Sequence, residues 1–243
     1  MKLGLRGPKE DPKGRTLKLR EFMTPFSYAA SCDLMFGKPP DIDPLGNTVL
    51  GVCALAAPAH RTRWEDLARE VNLRVQAEDV IREYQNFGWD PNDPSTDNGC
   101  YGLDVMKRWR NPGLFGGKSK IHAFAHVNYL DREELAMATF LTGGVFLSLN
   151  LPKQVTTGRI FDEDLWDAAN EDGGSEGGHM VWRYGDTVNT WGKQVVVSPA
   201  FIQRYCYEAF AVITEEAILK TTGRSYAGLD MPRMMEALQR VTA

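Results

Sequence analysis

The hydrophobic period of this chain changes once, and the change divides it. Between residues 53 and 109 apolar side chains recur at helical spacing; from Lys120 onward they alternate. Leu55, Ala59, Trp64, Leu67 and Val71 predict a helix over 53–72. Val80, Ile81, Tyr84 and Phe87 predict a second over 76–87, and a third runs from Tyr101 to Trp109, stopped by Asn111-Pro112-Gly113. Ile121, Ala123, Ala125 and Val127 then alternate with polar or larger neighbours, which predicts a strand. Further strands are expected at 145–151, 180–184, 187–191, 194–197 and 209–214, with helices at 131–141, 199–206 and 232–241. Helices followed by hairpin-linked strands describe an α+β chain with an antiparallel sheet, not an alternating α/β one.

The 243 residues, 43% of them hydrophobic, suffice for one sizeable core. A net charge of −4 gives no global pull toward nucleic acid or an anionic membrane. The exception is residues 1–20, where seven basic and two acidic side chains give +5. With Pro8 and Pro12 they read as an extended basic arm, solvated or docked on an assembly partner or a polyanion. The expected division is an arm over 1–22, a main domain over 23–214 (helical part about 45–115, sheet part about 118–214) and a helical tail over 215–243. Cysteines at 32, 53, 100 and 206 show no metal-ligand spacing and suit reduced thiols. No metal or cofactor is expected. The first 25 residues lack the apolar core of a secretion signal, and no apolar run approaches a membrane span.

Two stretches carry chemistry. Cys53 opens the first predicted helix, where amide dipoles favour a thiolate, and Gly51 allows a tight turn before it. Its own N–H is a candidate oxyanion donor, with the Asn47 side chain as a second. Pro58 is expected to bend that helix near its start. Far downstream, GGHMVWRYGDTVNTWG offers His179 and Asn189 on the two arms of a hairpin. A three-residue loop Arg183-Tyr184-Gly185 would set His179 opposite Asn189, close enough for the amide oxygen to hold the imidazole. A two-residue Gly185-Asp186 turn would set His179 opposite Gly192 and leave Asn189 across from Trp182. The first register is the one expected. His122 and His126, four apart on a strand, have poor spacing for a metal.

In this order the pieces resemble the papain-like cysteine peptidases: GNTVLGVC is similar to their oxyanion-glycine-nucleophile run, DNGCYG to their substrate-backbone loop, GGHMV to their histidine strand, and NTWG to their Asn-Ser-Trp-Gly. The resemblance covers roughly residues 45–214. It implies a nucleophile helix packed on an antiparallel sheet half. It also implies Cys53 as nucleophile, His179 as acid/base, Asn189 as its orienting group, and Asn47, in place of the family's glutamine, at the oxyanion. Gly99, Gly102 and Gly178 are expected to meet substrate backbone, and Trp191 to shield the histidine bond. Thr96–Arg110 and Tyr205–Ala211 also look like papain-like proteins of tailed bacteriophages, which implies host cytoplasm or virion as the location. With 52 residues ahead of Cys53, no long inhibitory prosegment is expected. The expected function is thiol hydrolysis of a peptide or amide bond; the alternative is a non-catalytic virion or assembly protein on the same scaffold.

Overall fold

The computed structural model describes residues 2–10, 17–23, 42–68, 70–156, 164–168 and 174–214, with Arg233 and Glu236 besides. The predicted C-terminal helix over 232–241, and Cys32, fall outside the described residues. Three helices come first: α1 (Cys53–Ala68), α2 (Ala77–Gln85) and α3 (Gly102–Arg110). Then follow β1 (Ile121–His126), α4 (Arg132–Thr142), β2 (Val145–Pro152), a single helical turn α5 (Lys153–Thr156), and β3 (Leu165–Trp166). The chain continues through β4 (Ser175–Tyr184), β5 (Thr187–Thr190), β6 (Lys193–Val197), α6 (Pro199–Tyr205) and β7 (Cys206–Thr214).

The strands form one seven-stranded sheet in the order β1-β7-β2-β4-β5-β6-β3, antiparallel except for the β3–β6 pair. Alternation sorts their side chains. Phe146, Met180, Trp182, Phe210 and Val212 face α1, α2 and α3 and build one core with Leu55, Val80, Tyr84, Leu103 and Trp109. Val145, Leu147, Leu149, Val181, Val188, Ala209 and Ala211 point the other way, into a second core closed by α4 and α6. Aromatic edges lock the first core: Trp109 meets Phe146 at 90° with centroids 5.4 Å apart, and Trp64 tilts onto Trp182.

Helix α1 departs from expectation in its burial. Its apolar residues predicted one buried stripe, but every residue from Cys53 to Asp66 is buried. The charges on its far side are therefore neutralised in place. Arg61 pairs with Glu65 (2.9 Å) and donates to the Thr142 carbonyl (3.0 Å), and Arg63 pairs with Asp43 (2.9 Å). Pro58 does not break the helix, which runs unbroken for 16 residues. The carbonyl of Pro58 is used by the Thr62 hydroxyl (2.9 Å).

The basic arm is packed in part, with residues 7–10 exposed. Leu5, Leu17, Leu19 and Phe22 are buried, and Leu19–Phe22 forms a 3-10 turn packed into the second core. The charge count hid a period of two, Leu3-x-Leu5 and Leu17-x-Leu19, which marks chain laid along a surface.

Candidate active site

Cys53 is the first residue of α1. The Val52 carbonyl before it accepts the N–H groups of Leu55 and Ala56, both at 2.8 Å. The turn that delivers it is held from outside: Gly51 N–H donates to Asp97 Oδ1 (2.9 Å), and Tyr84 Oη–H donates to the same oxygen (2.8 Å). Tyr84 in turn accepts the Gly99 N–H (2.7 Å), so one buried tyrosine–aspartate pair fixes both the nucleophile loop and the Gly99 loop. Burial holds the Tyr84 hydroxyl far above its usual range. Asp97 is held below its own: burial pushes it up, but Lys2, Tyr84 and the Gly51 N–H together outweigh that.

Strand β4 brings the histidine. Met180, one residue after His179, turns its backbone N–H toward the Cys53 thiol, as do Gly4, Ala54 and Cys53 itself. His179 is fully buried, with Nε2 2.7 Å from Thr190 Oγ1. Its other nitrogen, Nδ1, has no hydrogen-bond partner among the described residues. Trp191 stacks on the imidazole with centroids 4.1 Å apart and planes 20° apart.

The hairpin is not the expected one. Arg183 pairs with Val188 and Tyr184 with Thr187, which leaves Gly185-Asp186 as a two-residue turn. Gly185 takes φ 52° at the first turn position, as a primed two-residue turn requires, and Asp186 folds back onto Arg183. Asn189 is therefore not opposite His179. Its Oδ1 accepts the Tyr184 hydroxyl (3.0 Å), and its buried Nδ2 has no hydrogen-bond partner among the described residues. What reaches the histidine is the next residue. The β4–β5 ladder ends after two pairs, and the β5–β6 connection is a two-residue turn, Trp191-Gly192, with φ 47° and 80°. That left-handed pair lays the Trp191 ring on the imidazole and aims the Thr190 hydroxyl at Nε2. Sequence reasoning passed over Thr190 although it stands beside Asn189; Trp-Gly is not among the dipeptides that mark a primed turn, so no local signal in the sequence pointed to it.

The other expected residues fall as follows. Asn47 is buried on the approach turn, its Oδ1 without a hydrogen-bond partner among the described residues. Gly178 O accepts the Leu5 N–H (3.1 Å), and Gly99 sits at φ 71° against the arm. Gly102 begins α3 beneath these residues; a Cβ there would meet Met180 Cε at 2.8 Å and Glu208 Oε2 at 3.1 Å, so it makes room for side chains. Cys100, inside the DNGCYG run, turns its backbone N–H and C=O toward residues 4 and 6 of the arm. Among the described residues no cluster of three or more histidine, cysteine or acidic side chains could hold a metal.

Enclosure governs the electrostatics. Burial pushes the Cys53 thiol up to about 11, partly offset by the surrounding amides, and pulls the His179 imidazole down to about 3. At neutral pH both groups in this closed arrangement are uncharged.

No protein-family model matches the chain, and no curated protein matches it. Among solved structures it is similar to papain-like cysteine proteases, and its mixed α+β architecture is theirs. Xylellain, a cysteine protease from Xylella fastidiosa, superposes with a TM-score of 0.58 at 13% identity, over 87% of this chain and 96% of that one. Digestive procathepsin L 3 of Tenebrio molitor gives 0.49 at 12% identity, over 82% and 76%. The Carica candamarcensis protease CMS1MS2 gives 0.44 at 11%, over 82% and 98%. At such identities the likeness concerns the fold.

Proposed function

We propose that the chain is a thiol hydrolase acting on a peptide or amide bond. The observation that carries this reading is the seating of Cys53 at the first residue of α1, directly under the backbone of the His179 strand. Cys53 Sγ attacks the carbonyl carbon, and His179 accepts the thiol proton at Nδ1, the nitrogen left unpartnered. The Cys53 N–H and the Asn47 side chain hold the oxyanion. The imidazolium then protonates the leaving amine. Water, deprotonated by His179, releases the acyl group and restores the thiol. Thr190 holds Nε2 throughout and so keeps the ring turned. The motifs in Thr96–Arg110 and Tyr205–Ala211 carry the further proposal of phage origin. The test is hydrolysis of a mixed peptide library followed by mass spectrometry: cleavage that Cys53→Ala abolishes supports the reading, and cleavage that survives it does not.

A non-catalytic scaffold is the second reading. The observation that favours it is the neutral, enclosed thiol and imidazole. It predicts no turnover even when Cys53 is reachable.

A further inference from the structure

The groove over Cys53 is filled by the chain's own first residues. Cys100 N–H donates to the Gly4 carbonyl (2.7 Å), Arg6 N–H to the Cys100 carbonyl (2.8 Å), and Leu5 N–H to the Gly178 carbonyl (3.1 Å). Leu5 thus bridges the Gly99–Cys100 loop on one side and β4 on the other. The flanks are tied as well. Trp191 Nε1–H donates to the Lys2 carbonyl (3.3 Å), Lys2 Nζ pairs with Asp97 (2.9 Å), and the Tyr207 hydroxyl donates to the Arg6 carbonyl (3.1 Å).

The fit is backbone against backbone. A Cβ on Gly4 would overlap the Gly51 carbonyl, one on Gly99 would overlap the Gly4 carbonyl, and one on Gly178 would overlap the Leu5 carbonyl. Four glycines from four separate segments meet above one thiol. Such a contact needs a glycine in the ligand as well as in the walls. On either side the groove takes aliphatic side chains. Leu5 joins the core with Met180 and Phe210, and Leu3 lies against Gly177, where a Cβ would sit 3.2 Å from Leu3 Cδ1.

We propose that this groove is a binding site for extended peptides with glycine over Cys53 and a leucine-sized residue on each side, and that Leu3-Gly4-Leu5 is its resident ligand, which an incoming peptide must displace. The displacement step rests on the hydrolase reading only for what Cys53 does afterwards; the binding itself does not. Because the resident ligand is tethered, its effective concentration is high and free peptides compete at a disadvantage. The Gly4 amide is among the groups that enclose the thiol, so removing it opens Cys53 to solvent.

The test uses the full chain. Iodoacetamide labelling of Cys53 is followed by peptide mapping, with Cys206, buried in the second core on the other face of the sheet, as the internal reference. Gly4→Val adds a side chain where none fits, and Cys53 should label at least about tenfold faster than in the parent, by the local-opening term. Lys2→Glu, which sets like charge beside Asp97 without adding bulk, should accelerate labelling to a smaller extent. Adding the peptide acetyl-KLGLR-amide to the Gly4→Val chain should restore protection in a concentration-dependent way; acetyl-KLVLR-amide should not. Unchanged Cys53 labelling in both variants, with unfolding still cooperative, overturns the proposal. So does equal protection by the two peptides. A Gly4→Val chain that labels fast and is protected again, yet cleaves no peptide, upholds the site and removes the hydrolase reading instead.

Discussion

Replacing Thr190 by valine removes one hydroxyl and almost no volume. The structure gives that hydroxyl one role: its oxygen lies 2.7 Å from Nε2 of a fully buried imidazole. The alternative partner is engaged elsewhere, since Asn189 Oδ1 is held by Tyr184 at 3.0 Å. In Thr190→Val the imidazolium that the proposed attack would form therefore loses the one hydrogen-bond partner that Nε2 has among the described residues. A hydrogen bond to a charged group is worth roughly 1.5–3 kcal/mol, which corresponds to about 10- to 100-fold in rate. The assay is the second-order rate of Cys53 alkylation at pH 7, measured in the Gly4→Val background so that arm opening is not limiting. Thr190→Ser, which keeps the hydroxyl, should retain most of the rate. Asn189→Ala should cost less than about threefold, because that side chain does not touch the ring. If Asn189→Ala slows the reaction as much as Thr190→Val, or if serine does not rescue, then Thr190 does not orient His179.

Three further outcomes follow from the same geometry. Glu208 is buried with the Ser148 hydroxyl as its carboxylate's one partner among the described residues (3.3 Å), and burial lifts its carboxyl to about 7. A folded value above the ordinary 4.5 means that its stabilising contribution is complete below pH 4.5 and fades as pH rises through 7. The loss amounts to about 3 kcal/mol at most, and thermal melts of Glu208→Gln should lack this decline relative to the parent. His179 has the opposite sign: held down to about 3, it favours the fold above its ordinary 6.5, and that contribution drains as pH falls toward 3, so His179→Gln should flatten the acid limb of the melting curve. Asp97→Asn weakens three contacts at once, from Gly51, Tyr84 and Lys2, and should lower stability by roughly 1–3 kcal/mol while speeding hydrogen exchange in residues 2–6.

Much of the fold was legible because periodicity reports burial. The strand at Ile121 and the helices at Ala77 and Arg132 stand within a few residues of where their patterns put them. Helix α1 was found although it buries every face, because its apolar positions still repeat at helical spacing. The site was legible in part. Cys53 at a helix start and His179 on a strand are local facts, and local facts survive folding. Their third partner was not local. It depended on whether Gly185 closed a two- or a three-residue turn, and its left-handed φ suits either. The two-residue turn goes with a β4–β5 ladder of two pairs and a second primed turn at Trp191-Gly192, neither of which the local sequence specifies. Residues 2–6 were misjudged because their charge suggested solvent, whereas the leucines and the glycine between them set their place.

The central claim is that Cys53 and His179 act as one chemical unit once the arm is displaced. The measurement that meets it most directly is the pH profile of Cys53 alkylation in the Gly4→Val chain, with and without His179→Ala. A coupled pair predicts substantial rate at pH 6–7, well below the thiol's ordinary value of 9.0, and a shift of the profile toward that value when the imidazole is removed. A rate that climbs only near pH 9 or above in both chains would contradict it and leave Cys53 a buried thiol in a papain-like scaffold.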